Sequence, residues 1–420
     1  MRIELTQGVG LTVVPTKKFK TTRIAIHFLT PLAQADVAAR TLLTSVLETS
    51  SADYPTQAAL SAYLESLFGA SFGIGVGKEG HWHRVTAGLT LLNDQFAQEN
   101  LLQQGVAFLA GVLNRPLLHA GQFDADVFTR EQHNLHQYLQ SLAEDRQTQA
   151  NLGLQAVYFD DDPLQATPSF GTPKQLLAVT LNSLLHAYQQ MLAQDRIEIV
   201  VLGDVAVSDV EKQMQALKFA PRVIASVALP VSGDARPERT KVETAPVNQA
   251  KLNLGYRANF ALYSPAHYAA IVANELFGGS ALSLLFTNVR EKASLAYYAS
   301  SSLDAMRHLV MVQTGIDAQA APKVTQLIAD QLAAVQAGAF SADKLQVIKD
   351  GLVANRQTAY DSPRFLARQA LLQALLAAQP RELAQYVAGV QAVTKAQVMA
   401  QAATFNLEAQ YLLTKQPKES

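Results

Sequence analysis

The 420-residue chain has no cysteine. Disulfides, thiolate metal sites and a cysteine nucleophile are therefore excluded, and a cytoplasmic location is compatible with the composition. No apolar run reaches the length of about 20 residues that a membrane helix needs. The opening stretch MRIELTQGVGLTVVPTKKFKTT has no apolar h-region, so no secretory signal is expected. Charge of either sign is scarce. Charged residues make up 16% of the chain and the formal net charge is −1. Neither nucleic acid nor an acidic membrane surface is an expected partner at that balance. Hydrophobic residues account for 49%, a globular proportion. The length exceeds what one core sustains, which points to two or three domains.

The common ligand and phosphate signatures are also weak. Gly73, Gly75 and Gly77 in FGIGVGKEG follow a helix-like stretch and precede a strand. A phosphate cradle needs its glycines after a strand and at the opening of a helix. A strand closely approached by other backbone is the expected role instead. His81 and His83 in HWHRV would share one strand face, and His133 and His136 stand three apart on a helix. Each pair lacks a recognisable third ligand, so surface or structural histidines are expected. Gly278 and Gly279 read as a helix stop before a new helix begun by Ser280.

What the chain does contain is an internal echo. The segment from Arg84 to Gln140 and the segment from Leu309 to Tyr360 share an order: alternating strand, amphipathic helix, turn, long polar-faced helix. Each turn carries Gly-x-Phe-x-Ala-Asp, at Gly121, Phe123, Ala125 and Asp126 and at Gly338, Phe340, Ala342 and Asp343, 338 − 121 = 217 residues apart. A duplication of about half the chain is the expected cause. VSGDARPERTKVETAPVNQ, Val231 to Gln249, is rich in proline, charge and small polar residues, as linkers are. The expected layout is an N-terminal domain over 1–230, a linker over 231–249 and a C-terminal domain over 250–420. Hairpin-like strands with helices grouped elsewhere favour an α+β layer structure over a doubly wound sheet.

One stretch carries candidate chemistry, FTNVREKASLAYYASSSLD. Arginine suits forked contacts to carbonyls and carboxylates, and tyrosine can donate to a developing oxyanion. Arg290 and Tyr297 stand seven apart. The helix should end near Ala293, with Tyr297 at the entry to a strand. The bland alternative is a surface Arg/Glu pair and a packing tyrosine.

The same stretch resembles the C-terminal half-motif of the pitrilysin/insulinase superfamily of zinc peptidases, the inverzincin type that includes mitochondrial processing peptidase. That motif is an Arg followed by Leu-x-Tyr, and Arg290, Leu295 and Tyr297 fit it. Gly171 to Val205 resembles the end of the family's first domain, and Tyr54 to Phe72 the segment after its metal-binding helix. The resemblance spans the whole chain. It implies two duplicated domains of the LuxS/mitochondrial-processing-peptidase-like metallohydrolase fold, each a mainly antiparallel sheet covered by helices. Family members that cut peptides carry His-x-x-Glu-His on the first long helix, with a distal glutamate as third zinc ligand. Nowhere in this chain does His-x-x-Glu-His occur. The matching helix places Thr41, Thr44 and Ser45 at those positions, and Tyr138 or a neighbour where the distal glutamate belongs. Neutral hydroxyls are poor zinc ligands beside imidazole and carboxylate.

The resemblance is nearest to non-catalytic, YfmF-like bacterial members. It implies a silent homologue with no cofactor of its own, zinc being expected only in a partner chain. That partner would be a homologous zinc-bearing peptidase subunit, or else a second copy in a self-dimer. A peptide or unfolded polypeptide would be the ligand. Arg290 and Tyr297 would supply substrate or transition-state contacts. The resemblance further links such members to 5-aminopentanol modification of translation elongation factor EF-P. A peptide- or protein-binding scaffold without any role in proteolysis is the alternative reading.

Overall fold

A computed structural model describes residues 1–142, 144–231, 234–376 and 382–415. The chain divides into two compact units. Unit 1 comprises Met1–Gln140, Thr167–Leu229 and Tyr360–Pro380, and unit 2 comprises Ser141–Ala166, Pro230–Ala359 and Arg381–Ser420.

Unit 1 is built on six strands: β1 (Arg2–Thr6), β2 (Val9–Pro15), β3 (Thr21–Pro31), β4 (Ser71–Glu79), β5 (Trp82–Leu92) and β8 (Arg196–Gly203). Their order is β1-β2-β8-β3-β5-β4. Only β2 and β8 run parallel; every other neighbouring pair is antiparallel. The near-continuous apolar run of β8 marks a strand buried on both faces, and its residues from Ile197 to Gly203 are all buried. β5 shows the alternation of a strand with one wetter face. β4 and β5 form a hairpin across Gly80 and His81, and Gly80 takes φ +59°, which suits glycine at a tight turn. Helix α1 (Val37–Thr49) lies against β4 in this unit. The two-residue strands β6 (Leu118–His119) and β7 (Gln122–Phe123) pair around Gly121, whose φ is +80°.

Unit 2 has five strands: β9 (Arg239–Thr244), β10 (Ala250–Arg257), β11 (Ala296–Asp304), β12 (Leu309–Ile316) and β13 (Asn406–Thr414). Their order is β11-β12-β10-β13-β9. The β13/β9 pair is parallel and the others are antiparallel. This is the order and sense of β4-β5-β3-β8-β2 in unit 1. Gly338 matches Gly121 in conformation as well, with φ +69°. Both glycines sit in the left-handed region, which a side chain disfavours.

The units differ from two contiguous halves in a reciprocal way. The helix Arg146–Tyr158, from the first half of the chain, belongs to unit 2. The helix Pro363–Leu376, from the second half, belongs to unit 1. Each covers equivalent strands: β13 and β9 in unit 2, β8 and β2 in unit 1. Ala150, Leu154 and Tyr158 are buried together with Leu309, Ala409 and Tyr411. A Cβ added at Gly153 would lie 2.3 Å from the Tyr411 ring, so glycine permits this close approach. The stretch expected as a linker, 231–249, also differs: it contains β9, the edge strand of unit 2.

Candidate functional site

Tyr297 lies on β11, the edge strand of the unit 2 sheet, and Arg290 on the π-helix that precedes it. The chain from Leu285 to Lys292 is wound as a π-helix and ends at Ala293, whose N–H donates to the Asn288 carbonyl at 3.1 Å. Such wide turns are uncommon and tend to mark functional segments. β11 follows at Ala296. Its pairing with β12 shifts register between Ala296 and Tyr298, which leaves Tyr297 as the extra residue of a bulge. A bulge re-aims a side chain. Tyr297 is accordingly 72% exposed. The Arg290 guanidinium lies 4.4 Å from the centre of the Phe286 ring, a cation–π contact. The helix end and strand entry thus fall where the sequence places them. Tyr298 behaves differently. It is half-buried, its hydroxyl donates to Gln147 Oε1, and burial pushes its pKa up to about 12.

Gly278 and Gly279 have a reason the sequence hid. They lie in a second π-turn, Glu275–Gly279, which prolongs the helix Pro265–Asn274 and ends at Ser280. A Cβ on Gly278 would stand 2.8 Å from the Ser301 backbone nitrogen on β11, so the glycine serves close packing.

In unit 1, Thr41, Thr44 and Ser45 lie on α1 as expected. Thr41 Oγ1 donates to the Val37 carbonyl and Thr44 Oγ1 to the Thr41 carbonyl, both at 2.8 Å. Ser45 is half-buried. This donor set contains neither imidazole nor carboxylate, so it does not fit zinc. Tyr138, the residue expected in place of the distal glutamate, is exposed. Among the described residues no group of three or more His, Cys, Asp or Glu could hold a metal ion.

The helix is anchored by charge. Arg40 donates to both carboxylate oxygens of Asp195, at 2.6 and 3.3 Å, and through Nε to His83 Nδ1 at 3.0 Å. His83 Nε2 in turn donates to the Ser169 carbonyl at 2.9 Å. Burial, then the neighbouring Arg40, hold the His83 pKa down to about 3. His83 is therefore structural. His81 does not share its face, because it sits in the β4–β5 turn outside either strand. His133 and His136 lie on the helix Ala125–Leu142, His133 exposed and His136 half-buried.

Gly73, Gly75 and Gly77 depart from expectation. They lie on β4, which is an edge strand hydrogen-bonded to β5. A Cβ on Gly75 would meet nothing within 4 Å, and one on Gly73 only Glu48 Oε1, at 3.6 Å. A Cβ on Gly77 would meet the Arg84 guanidinium at 2.9 Å, so the bare strip beside α1 is Gly73 and Gly75. Glu48, overlooked in the sequence, reaches from α1 to accept from the Ile74 N–H at 3.3 Å. Burial raises its pKa, with the nearby Glu131 carboxylate adding to the rise against the Ile74 hydrogen bond.

No helix among the described residues is long and apolar enough to cross a membrane.

Comparison with known proteins accords with this geometry. Residues 178–352 match the model of the peptidase M16 inactive domain. The chain is 31% identical over 414 residues to the "Probable inactive metalloprotease YmfF" of Bacillus subtilis, covering 97% of this chain and 96% of that protein. A crystal structure of a conserved protein from Enterococcus faecalis V583 is 38% identical and superposes with a TM-score of 0.94, covering 100% of this chain and 99% of that one. The peptidase M16 inactive domain from Pseudomonas fluorescens shares the fold at a TM-score of 0.81 and 18% identity, covering 100% of this chain and 99% of its own. The chain belongs to the M16 metalloprotease family as one of its inactive homologues.

Proposed function

We propose that this protein is the silent subunit of a peptide-processing pair. A homologue bearing His-x-x-Glu-His brings the metal, and this chain brings Arg290 and Tyr297. A duplicated origin of the two units and a cytoplasmic location belong to the same reading. The observation that carries it is the bulge on β11. It turns Tyr297 out of the sheet with no hydrogen bond to its hydroxyl among the described residues, and on the π-helix before it the Arg290 guanidinium lies over the Phe286 ring without an ion pair in that set. A tyrosine kept merely for packing would bury its ring. An exposed one is suited to donate to a peptide carbonyl as charge develops on its oxygen. EF-P modification is the process in which such a pair would act, by the family likeness alone.

The test is a reconstituted pair with the zinc-bearing homologue. Tyr297→Phe removes only the hydroxyl and should lower turnover by roughly 10²–10³, the scale for losing one oxyanion donor. Assembly should be unchanged. Arg290→Lys should also reduce turnover, since an ammonium cannot reproduce the forked contact. Unaltered turnover in both variants would sink this proposal.

A second reading, a peptide-binding scaffold without proteolysis, is favoured by the bare glycine strip on β4. An edge strand can accept an added strand through main-chain hydrogen bonds. Under that reading Gly75→Val weakens peptide binding while Tyr297→Phe changes nothing.

A further inference from the structure

Unit 1 contains a cavity of about 130 Å³ lined by Arg23, His27, Arg84, Thr86, Arg364 and Arg368. One minimal water site needs about 10–15 Å³, so this space can admit a small polyatomic anion. Arg23 and His27 come from β3, Arg84 and Thr86 from β5, and Arg364 and Arg368 from the helix Pro363–Leu376.

The charges around it do not balance. Glu79 on β4 is the carboxylate paired with this set. It takes Arg368 through two hydrogen bonds, at 2.6 and 3.1 Å, and Arg84 at 3.3 Å. Arg23 donates to the neutral Thr90 hydroxyl at 3.0 Å. Arg364 has no ion pair among the described residues. Four guanidinium groups thus face the space against one carboxylate. Burial, and after it Arg364, lowers the Arg23 pKa. Burial lowers that of Arg84 too, with Arg368 adding to the drop against the Glu79 attraction.

The donors are in surplus as well. Arg23 Nε, Arg84 Nε and His27 Nε2 are buried without a hydrogen-bond partner. Buried polar atoms in folded proteins are nearly always paired. His27 is only 5% exposed. Its Nδ1 lies 2.9 Å from Thr86 Oγ1, which already accepts from Arg84. The hydroxyl is free to give its own proton to Nδ1, and this leaves Nε2 carrying the hydrogen. All three orphaned atoms are then donors, and the partner they lack is a pure acceptor. Guanidinium forks match tetrahedral oxyanions closely.

We propose that this cavity binds a phosphate-class oxyanion, held by Arg23, Arg84, Arg364 and the Nε2–H of His27. Nothing in the proposal depends on the zinc-bearing partner or on Tyr297.

Titration of the full-length protein with inorganic phosphate and with pyrophosphate, by calorimetry against sodium chloride of equal ionic strength, tests it. Saturable one-to-one binding is expected, absent with chloride. Arg23→Gln and Arg364→Gln should each weaken it at least about tenfold, the scale of one charge-assisted hydrogen bond. The two variants keep the test valid if one misfolds, because Arg364 is exposed. Competition by a nucleoside monophosphate would identify a phosphoryl group on a larger molecule as the natural ligand. Failure to compete would identify the free anion. Heats that follow ionic strength alone, or wild-type binding in both folded variants, would overturn the proposal.

Discussion

The two units place the same architecture around different chemistry. In unit 1, β3 and β5 set His27 opposite Thr86, and the covering helix brings Arg364 and Arg368. In unit 2, the matching strands β10 and β12 set Asn253 opposite Gln313, and the covering helix brings Gln147 and Asn151. There the neutral amides bind one another. Asn253 Nδ2 donates to Asn151 Oδ1 at 3.0 Å, Gln147 Nε2 donates to the same oxygen at 3.0 Å, and Gln313 donates to it as well. Asn253 Oδ1 is buried without a partner. Unit 2 thus closes its inner face with amides that are both donors and acceptors, whereas unit 1 lines the same place with cations that can only donate. A network whose buried donors find an acceptor within it is structural. One left with spare donors is shaped for something else.

Most of what separates the two was illegible beforehand. The helical position of Thr41 follows from the family resemblance, and the helix end near Ala293 and the strand entry at Tyr297 from local pattern, and the structure agrees. The turns at Gly121 and Gly338 were visible because only glycine takes positive φ without cost. The exchange of the helices Arg146–Tyr158 and Pro363–Leu376 carries no local signature. Amphipathic pattern says that a face is buried, not which sheet buries it. The arginine cavity was hidden for the same reason: its members are scattered from residue 23 to residue 368 and meet only through strand register and the exchanged helix. The glycines of β4 were misjudged because the sequence shows a missing side chain but not whether a neighbour fills the space.

The comparison can be broken most severely at the apolar anchor of unit 2. Tyr158 is 1% exposed and packs against Phe159, Ala409 and Tyr411. Tyr158→Ala should cost about 3–5 kcal/mol, the range for deleting a large buried ring. Urea unfolding followed by circular dichroism would show it, and phosphate should not restore it. A loss under 1 kcal/mol would mean that the exchanged helix is not held by its core.

A smaller loss is expected at the centre of the amide network. Asn151→Ala strips one acceptor from Asn253, Gln147 and Gln313 at once. Unsatisfied buried groups cost about 1–3 kcal/mol. Denaturation of the single variant, and of a double variant with Gln313→Ala, would measure how much of that loss is shared.

Acid should separate the units by a different route. Burial, followed by Arg84, Arg23 and Arg368, holds the His27 pKa well below the usual histidine value. Opposite His27 on β8 stands Glu198, already paired with Arg2 and Arg196; Glu79 on β4 is shared between Arg84 and Arg368, and the covering helix adds Arg364. A depressed folded pKa means the unfolded chain binds the proton first. Stability is therefore present above about pH 6.5 and declines as pH falls below it, by roughly 1.4 kcal/mol per pH unit for each such group. His83 follows the same sign, its folded value being about 3. His27→Gln should flatten the decline by one group's share. Bound phosphate should also flatten it, because an anion beside the imidazole favours its protonated form. The amides of unit 2 do not titrate. A pH profile identical in wild type and His27→Gln would show that His27 is not held neutral.

The smallest expected effect is the most discriminating. Arg364 is exposed, and its nearest electrostatic role is to repel Arg23. Surface substitutions away from packed features usually change stability by no more than about 0.5 kcal/mol. In phosphate-free, low-salt buffer, Arg364→Gln should therefore leave stability within that margin, with any change in the stabilising direction, because one of the mutually repelling cations is gone. High salt should erase even that difference, since exposed charges are screened beyond about 10 Å at 0.1 M. With phosphate present the sign should reverse, the wild type gaining stability that the variant cannot. Asn151→Ala offers no such reversal, for its network has no anion to lose. If Arg364→Gln destabilises equally with and without phosphate, the arginines of unit 1 are as structural as the amides of unit 2, and the contrast between the units is one of composition alone.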